Sequence, residues 1–168
     1  RPFETSLTGF YDKIDVRRRG GFCYELNGLF GWLLGELGFS VVTLSARVFN
    51  GEALGPEFDH MLLLVRLEER WIADVGFGDS FLDPLPMDAE EHREGDRSFR
   101  IAERERALVL ESRGPGAEAW EPQYAFTGAP RRLDQLQVVD DDHPDVLFTL
   151  HAPRARRDLG DRNTAGIV

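Results

Sequence analysis

The run Met61-Leu62-Leu63-Leu64-Val65 constrains the fold more than any other stretch of this 168-residue chain. It is unbroken, apolar and of strand length, so it has to be covered on both faces. Glu68-Glu69 interrupts the pattern and Arg70-Trp71-Ile72-Ala73-Asp74-Val75 runs back, which predicts a hairpin with a short turn near residues 67–69. A three-residue loop centred on Leu67 or Glu68 pairs position 60 with 74 or 76. His60 and Asp74 then share one face at the open end, as direct or diagonal neighbours within hydrogen-bonding reach.

A second stretch supplies the other half of the argument. In Arg19-Gly20-Gly21-Phe22-Cys23-Tyr24-Glu25-Leu26-Asn27-Gly28 two glycines let the backbone turn tightly before a helix. Leu26, Leu29, Phe30, Leu33, Leu34 and Leu37 follow at the spacing of one buried helical face, and the helix is expected to stop at Gly38. Cys23, the single cysteine, falls in the first helical turn. There unpaired backbone N–H groups and the positive end of the helix dipole favour a thiolate. A lone cysteine is most often a small buried hydrophobe; the glycine lead-in, the helix start and the downstream His and Asp argue otherwise here.

A thiol nucleophile needs a base to take its proton and a third group to orient that base. Cys23, His60 and Asp74 are the candidates for those roles, with Asp74 accepting the His60 Nδ1–H beside a resting thiolate–imidazolium pair.

The rest of the chain reads as globular. Residues 39–49 are rich in β-branched and aromatic types and predict a strand. Further strands are expected at 98–102, 107–112 and 123–126, as an antiparallel meander that closes or covers the hairpin. Phe10, Tyr11, Ile14 and Val16 suggest the end of a helix, and Arg17-Arg18-Arg19 a solvated or salt-bridged approach to the cysteine turn, with anion binding the alternative. Asp83-Pro84-Leu85-Pro86 is expected to lack regular structure. Residues 88–96, with His92, read as an exposed loop. Beyond Gly128 we expect a short helix around Leu133 and Leu136, a solvated loop at Asp140-Asp141-Asp142-His143, and a last strand over 146–150. The reading divides the chain into a helical part over 1–38, a β-rich part over 39–127 and a C-terminal α/β remainder over 128–168.

The 20 Lys+Arg against 30 Asp+Glu, a net charge of -10, argue against nucleic acid or an anionic membrane as partner. No apolar run reaches membrane-spanning length. One cysteine cannot form an internal disulfide, which suits a reducing cytoplasm. The chain opens Arg1-Pro2 without an initiator Met, so a fragment is expected.

The segment Arg19–Asn27, followed by His60–Val65, Trp71–Gly78 and Asp83-Pro84-Leu85, resembles the signature regions of the arylamine N-acetyltransferases in order, spacing and flanking residues. The resemblance spans roughly residues 17–86. It implies an α+β protein with a cysteine-protease-like core, in which an N-terminal helical part carries the Cys and an antiparallel barrel or sheet carries His and Asp. It further implies ping-pong transfer of an acetyl group from acetyl-CoA, a co-substrate, through Cys23 to an arylamine, hydrazine or N-hydroxyarylamine, in the manner of xenobiotic metabolism. No metal or redox cofactor is implied. Tyr24, Phe49, Phe77 and Phe148 are candidates for the apolar substrate wall, and Gly76 and Gly78 match the family's glycine loop near the acyl-donor cleft. Arg19, Glu25 and Asn27 match signature positions that hold the site's shape. Departures are Asp59 before the histidine, where many members have a small hydroxyl residue, and the longer helical and C-terminal regions of the family.

Three other functions fit the same residues. An amide synthase would take a polyketide acyl chain from a carrier protein with the same triad. A cysteine hydrolase or transglutaminase-like enzyme would replace the arylamine by water or lysine. A non-catalytic binding domain would keep Cys23 for structure alone.

Overall fold

The computed structural model describes residues 6–131. Two helical pieces precede a nine-stranded, wholly antiparallel sheet, an α+β arrangement. Helix α1, Leu7–Tyr11, is capped by Ser6, whose side chain accepts from Gly9 N, and it runs on into a π-helical turn over Asp12–Val16. Helix α2 spans Cys23–Glu36. Phe22 at its N-cap is extended and offers no side-chain acceptor, so Glu25 at the third helical position takes the Phe22 N–H at 3.2 Å. Lys13 Nζ grips that carboxylate at 2.6 Å and so ties the α1 segment to the start of α2. At the other end Gly38 (φ +91°) closes the helix, with Gly38 N donating to Gly35 O and Phe39 N to Leu34 O. These are the two bonds of a Schellman stop, which needs a left-handed residue.

Strands follow as β1 (Ser40–Asn50), β2 (Ala53–Leu54), β3 (His60–Arg66), β4 (Arg70–Ala73), β5 (Leu85–Pro86), β6 (His92–Glu94), β7 (Arg97–Arg104), β8 (Ala107–Arg113) and β9 (Glu121–Phe126). The sheet order is β5-β4-β3-β1-β9-β8-β7-β6, with β2 beside β1. The hairpin turn is centred on Glu68, since Arg66 pairs with Arg70 and Leu63 with Ala73. Every residue from His60 to Val65 is buried, and the period of two divides them. Leu62 and Leu64 join Leu44, Ala46, Ile72, Phe99, Leu110, Tyr124 and Phe126 in the main core, whereas Leu63 and Val65 face Phe30 and Leu34 of α2. The predicted meander joins the hairpin through β1, because β9 pairs with β1 on the side away from β3. The loop between β4 and β5 bridges toward the other end of the sheet: the Phe81 ring lies 5.9 Å from that of Phe99 in β7, and Leu82 N and Asp83 N donate to Glu94 of β6. This curls the sheet toward a closed barrel and leaves little open edge.

The structure corrects three expectations. The leucine stripe of α2 is only partly a buried face: Phe30 and Leu34 pack against β3 and Leu26 and Leu29 are half-buried, but Leu33 is 45% and Leu37 66% exposed, and the fully buried residues are Cys23, Tyr24, Glu25, Asn27 and Gly28. The helix enters the sheet by its first two turns, and Gly31 brings the axis close enough that a Cβ there would sit 3.1 Å from Leu63 Cδ2. Residues 83–86 do form structure, since Leu85–Pro86 pairs with Ile72 and Trp71. Proline is tolerated there because β5 is an edge strand. Residues 88–96 contain β6, and His92 is half-buried in it and not a loop residue. The expected elements beyond residue 131, with Phe148 and the Asp140–His143 run, lie outside the described residues.

Candidate active site

The open end of the β3–β4 hairpin meets the N-terminus of α2. Register extrapolated past β4 sets residue 60 opposite 76 and 62 opposite 74, so His60 and Asp74 are diagonal neighbours on one face. Their side chains are 3% and 0% exposed and meet at 2.6 Å, His60 Nε2 to Asp74 Oδ2. This corrects the expected nitrogen. An ionised carboxylate only accepts, so Nε2 carries the proton and Nδ1 is left for a second partner. The reason is the diagonal placement of the two residues, across which Nε2, at the tip of the ring, reaches the carboxylate.

Asp74 receives four donors. Besides His60, the buried Tyr124 hydroxyl donates to Oδ2 at 3.2 Å, and Oδ1 accepts from Asn27 Nδ2 at 2.9 Å and Gly76 N at 3.0 Å. Asn27 also donates to Met61 O at 2.7 Å and accepts from Val75 N at 2.9 Å. One α2 side chain thus stitches the helix to both strands of the hairpin's open end. Burial pushes Asp74 up, but His60, Asn27 and Gly76 together hold it below the ordinary carboxylate range. Burial pushes His60 down; the Asp74 charge and hydrogen bond, aided by a hydrogen bond and charge from Cys23, outweigh it and raise His60 to about 9. Tyr124 is held well above its usual value, chiefly by burial and then by Asp74, so it stays a donor.

These shifts set a pH dependence. His60, raised from 6.5 to about 9, contributes stability that is fully present below 6.5 and lost as pH rises through about 9. Asp74, lowered from 3.8, contributes stability that is lost only as pH falls through its depressed value. Thermal melts from pH 5 to 10 are therefore expected to show a decline between 6.5 and 9, on the order of 3 kcal/mol, that His60→Gln lacks. Equal slopes in both proteins would contradict the assignment.

Cys23 is buried at the first position of α2, packed with Tyr24 and Met61, and Phe22 and Phe58 border the same cluster. Gly76 crosses directly over it. A Cβ on Gly76 would lie 2.5 Å from Cys23 Cα and 2.9 Å from Asn27 Nδ2. Gly78 differs: nothing lies within 4 Å, but its φ of +67° is left-handed. Gly76→Ala is expected to cost about 2–3 kcal/mol in urea unfolding through overpacking against backbone. Gly78→Ala is expected to cost about 1 kcal/mol through backbone strain alone. A larger loss at Gly78 would reverse this reading of the loop.

The other candidates separate. Phe77 stacks 4.9 Å from the His60 ring, and both touch Tyr124, at 4.8 and 5.2 Å. Tyr24 lies beside Cys23, its hydroxyl bonded to Phe58 O and held above its usual range chiefly by burial. Phe49 sits on the β1 face opposite His60, because His60 pairs with Ala46 and side chains alternate. Asp59 accepts from Val48 N at 3.3 Å and bears on the β1–β2 turn. Glu25 and Asn27 are buried within the framework, while Arg19 is exposed. Tyr124 is the residue that sequence reasoning missed. Its strand was expected, but nothing local to 123–126 says that β9 inserts beside β1 and aims the hydroxyl at a carboxylate 50 residues away.

This arrangement supplies a buried, protonated imidazole anchored at one nitrogen, next to a thiol at a helix start. Known proteins are similar to this chain over most of its length. The N-acetyltransferase family model matches residues 1–159. The arylamine N-acetyltransferase / N-hydroxyarylamine O-acetyltransferase of Salmonella typhimurium is 38% identical over 141 residues, 81% of this chain and 50% of that protein. Proansamycin X synthase of Amycolatopsis mediterranei is 35% identical over 127 residues, 74% of this chain and 48% of that protein. The solved structure of Mycobacterium marinum arylamine N-acetyltransferase in complex with CoA superposes with a TM-score of 0.69 at 30% identity, over 79% of this chain and 51% of that one. The chain spans about half the length of the curated relatives it matches. From the matched length and the identity across it, the chain belongs to the arylamine N-acetyltransferase family.

Proposed function

We propose that this chain carries the catalytic centre of an acetyl-CoA-dependent arylamine N-acetyltransferase, with Cys23 as nucleophile, His60 as base and acid, and Asp74 as anchor. The observation that carries the proposal is the fully buried His60–Asp74 pair at 2.6 Å with Cys23 acting on the same ring. In the first step the Cys23 proton resides on His60 Nδ1 and the thiolate attacks the thioester carbonyl. The C–S bond to CoA breaks and the leaving thiolate takes a proton from the imidazolium. The product is an acetyl-cysteine. In the second step an arylamine nitrogen attacks that carbonyl, His60 Nδ1 removes the nitrogen's proton, and the amide leaves as Cys23 regains its thiolate. Thioester exchange is nearly isoenergetic, so the amine drives the sequence forward. Phe77 and Tyr24 border the reacting centre with apolar surface that disfavours attack by water. The CoA complex of the Mycobacterium marinum neighbour supports CoA as the carrier of the acetyl group.

The test is an intact-mass spectrum after brief incubation with acetyl-CoA and no amine, with peptide mapping. The expected result is one acetyl group on Cys23, discharged when an arylamine is added. The match to proansamycin X synthase favours a second reading, an amide synthase that takes its acyl chain from a carrier protein. It predicts no adduct from acetyl-CoA although Cys23 still alkylates rapidly at low pH.

A further inference from the structure

Away from Cys23, three side chains with metal-ligating atoms converge where the loop after β4 meets β6. An oxygen of Asp83, a ring nitrogen of His92 and a carboxylate oxygen of Glu94 all lie within 4.8 Å of one another. His92 Nε2 stands 3.3 Å from Glu94 Oε1. Two ligands on a tetrahedral ion with bonds near 2.0–2.1 Å are separated by roughly 3.3–3.4 Å, so this pair already has the spacing of adjacent ligands. The second observation is that His92 Nε2 is buried yet makes no hydrogen bond. Glu94 is its neighbour only at ion-pair distance, and a buried polar atom that makes no hydrogen bond is costly. Glu94 is held in place independently, because its oxygens accept Leu82 N at 2.8 Å and Asp83 N at 2.8 Å. Those amides orient the carboxylate: Oε1 accepts both Asp83 N and, at 3.0 Å, Leu82 N, whereas Oε2 accepts Leu82 N alone and keeps a lone pair for an ion.

We propose that Asp83, His92 and Glu94 form a binding site for a divalent transition-metal ion of the zinc type. One imidazole nitrogen and two carboxylate oxygens are a borderline donor set that suits Zn²⁺. Ca²⁺ takes six to eight oxygens and Mg²⁺ an octahedral oxygen shell, neither of which three mixed ligands supply. A water completes the tetrahedron on the exposed Asp83 side. The ion's role is structural. It fastens residues 82–83, at the end of the loop that begins with Gly76 over Cys23, to β6 and through it to the β7–β9 meander.

The experiment is calorimetric titration of the full chain with ZnCl₂ in a Cys23→Ala background, which removes the thiol as a competing ligand. One Zn²⁺ per chain is expected, with binding at least ten-fold weaker in His92→Gln and in Asp83→Asn. Asp83 is exposed, so its variant tests the site even if His92→Gln perturbs folding. The melting temperature should rise with Zn²⁺ in the Cys23→Ala chain and stay unchanged in the two ligand variants. If His92 and Glu94 form only an ion pair, no saturable binding occurs. That result, or binding in both variants as strong as in the Cys23→Ala chain, overturns the proposal.

Discussion

Cys23→Ala is expected to abolish acetyl transfer, with activity lower by at least about 10⁴-fold and no acetylated protein after incubation with acetyl-CoA. The alanine keeps the Cβ against Met61 and Tyr24 and removes only the sulfur, so the fold should survive with little change in melting temperature. Residual binding of CoA without an adduct would separate loss of the nucleophile from loss of the site. The prediction is demanding because Cys23 is the only cysteine, so no neighbouring thiol can substitute. Transfer through a ternary complex, without an acyl-enzyme, would leave measurable turnover in this variant and would refute the ping-pong order.

The second large effect is expected from Asp74→Asn, through a conflict that the geometry makes unavoidable. Both carboxylate oxygens accept hydrogen bonds, Oδ2 from His60 and Tyr124, and Oδ1 from Asn27 and Gly76. An amide has one acceptor oxygen. If its NH₂ faces His60, the ring must switch its proton to Nδ1 and can no longer take one from Cys23. If it faces the other way, two donors oppose Asn27 and Gly76 and the loop over Cys23 is pushed off. Either way kcat should fall roughly 10³–10⁴-fold. The first case lowers the melting temperature at neutral pH, because the stability that Asp74 lends to protonated His60 is lost, and it moves the alkaline limb of the pH–rate profile to lower pH, since the imidazolium is no longer held by a carboxylate. Tyr124→Phe removes one donor and keeps the anion, so its loss should be far smaller. Full activity in Asp74→Asn would take that residue out of the mechanism.

Much of this site was legible because it depends on short periods. Alternation along 60–65 and 70–74, with a turn near 67–69, by itself places His60 and Asp74 on one face. The pairing Arg66 to Arg70 realises one of the two registers that the pattern allows. The start of α2 at Cys23 and its end before Gly38 follow from glycine positions in the same way. The apolar stripe of α2 misled for a related reason. Periodicity says which residues share a face, not what covers that face, and in this fold Phe30, Gly31 and Leu34 meet β3 while Leu33 and Leu37 stay exposed.

Sequence alone indicated the main elements, the hairpin to within two registers and the nucleophile, base and anchor candidates, because each rests on backbone periods and on the chemistry of single side chains. Tertiary structure alone decided that Nε2 and not Nδ1 meets Asp74, that Gly76 has no room for a Cβ above Cys23, that Phe49 lies on the far face, and that Tyr124 joins the carboxylate. Those facts depend on distances of a few tenths of an ångström between segments 14 to 53 residues apart. No local propensity encodes them; they arise when the β9–β1 pairing and the entry of α2 are packed against one core.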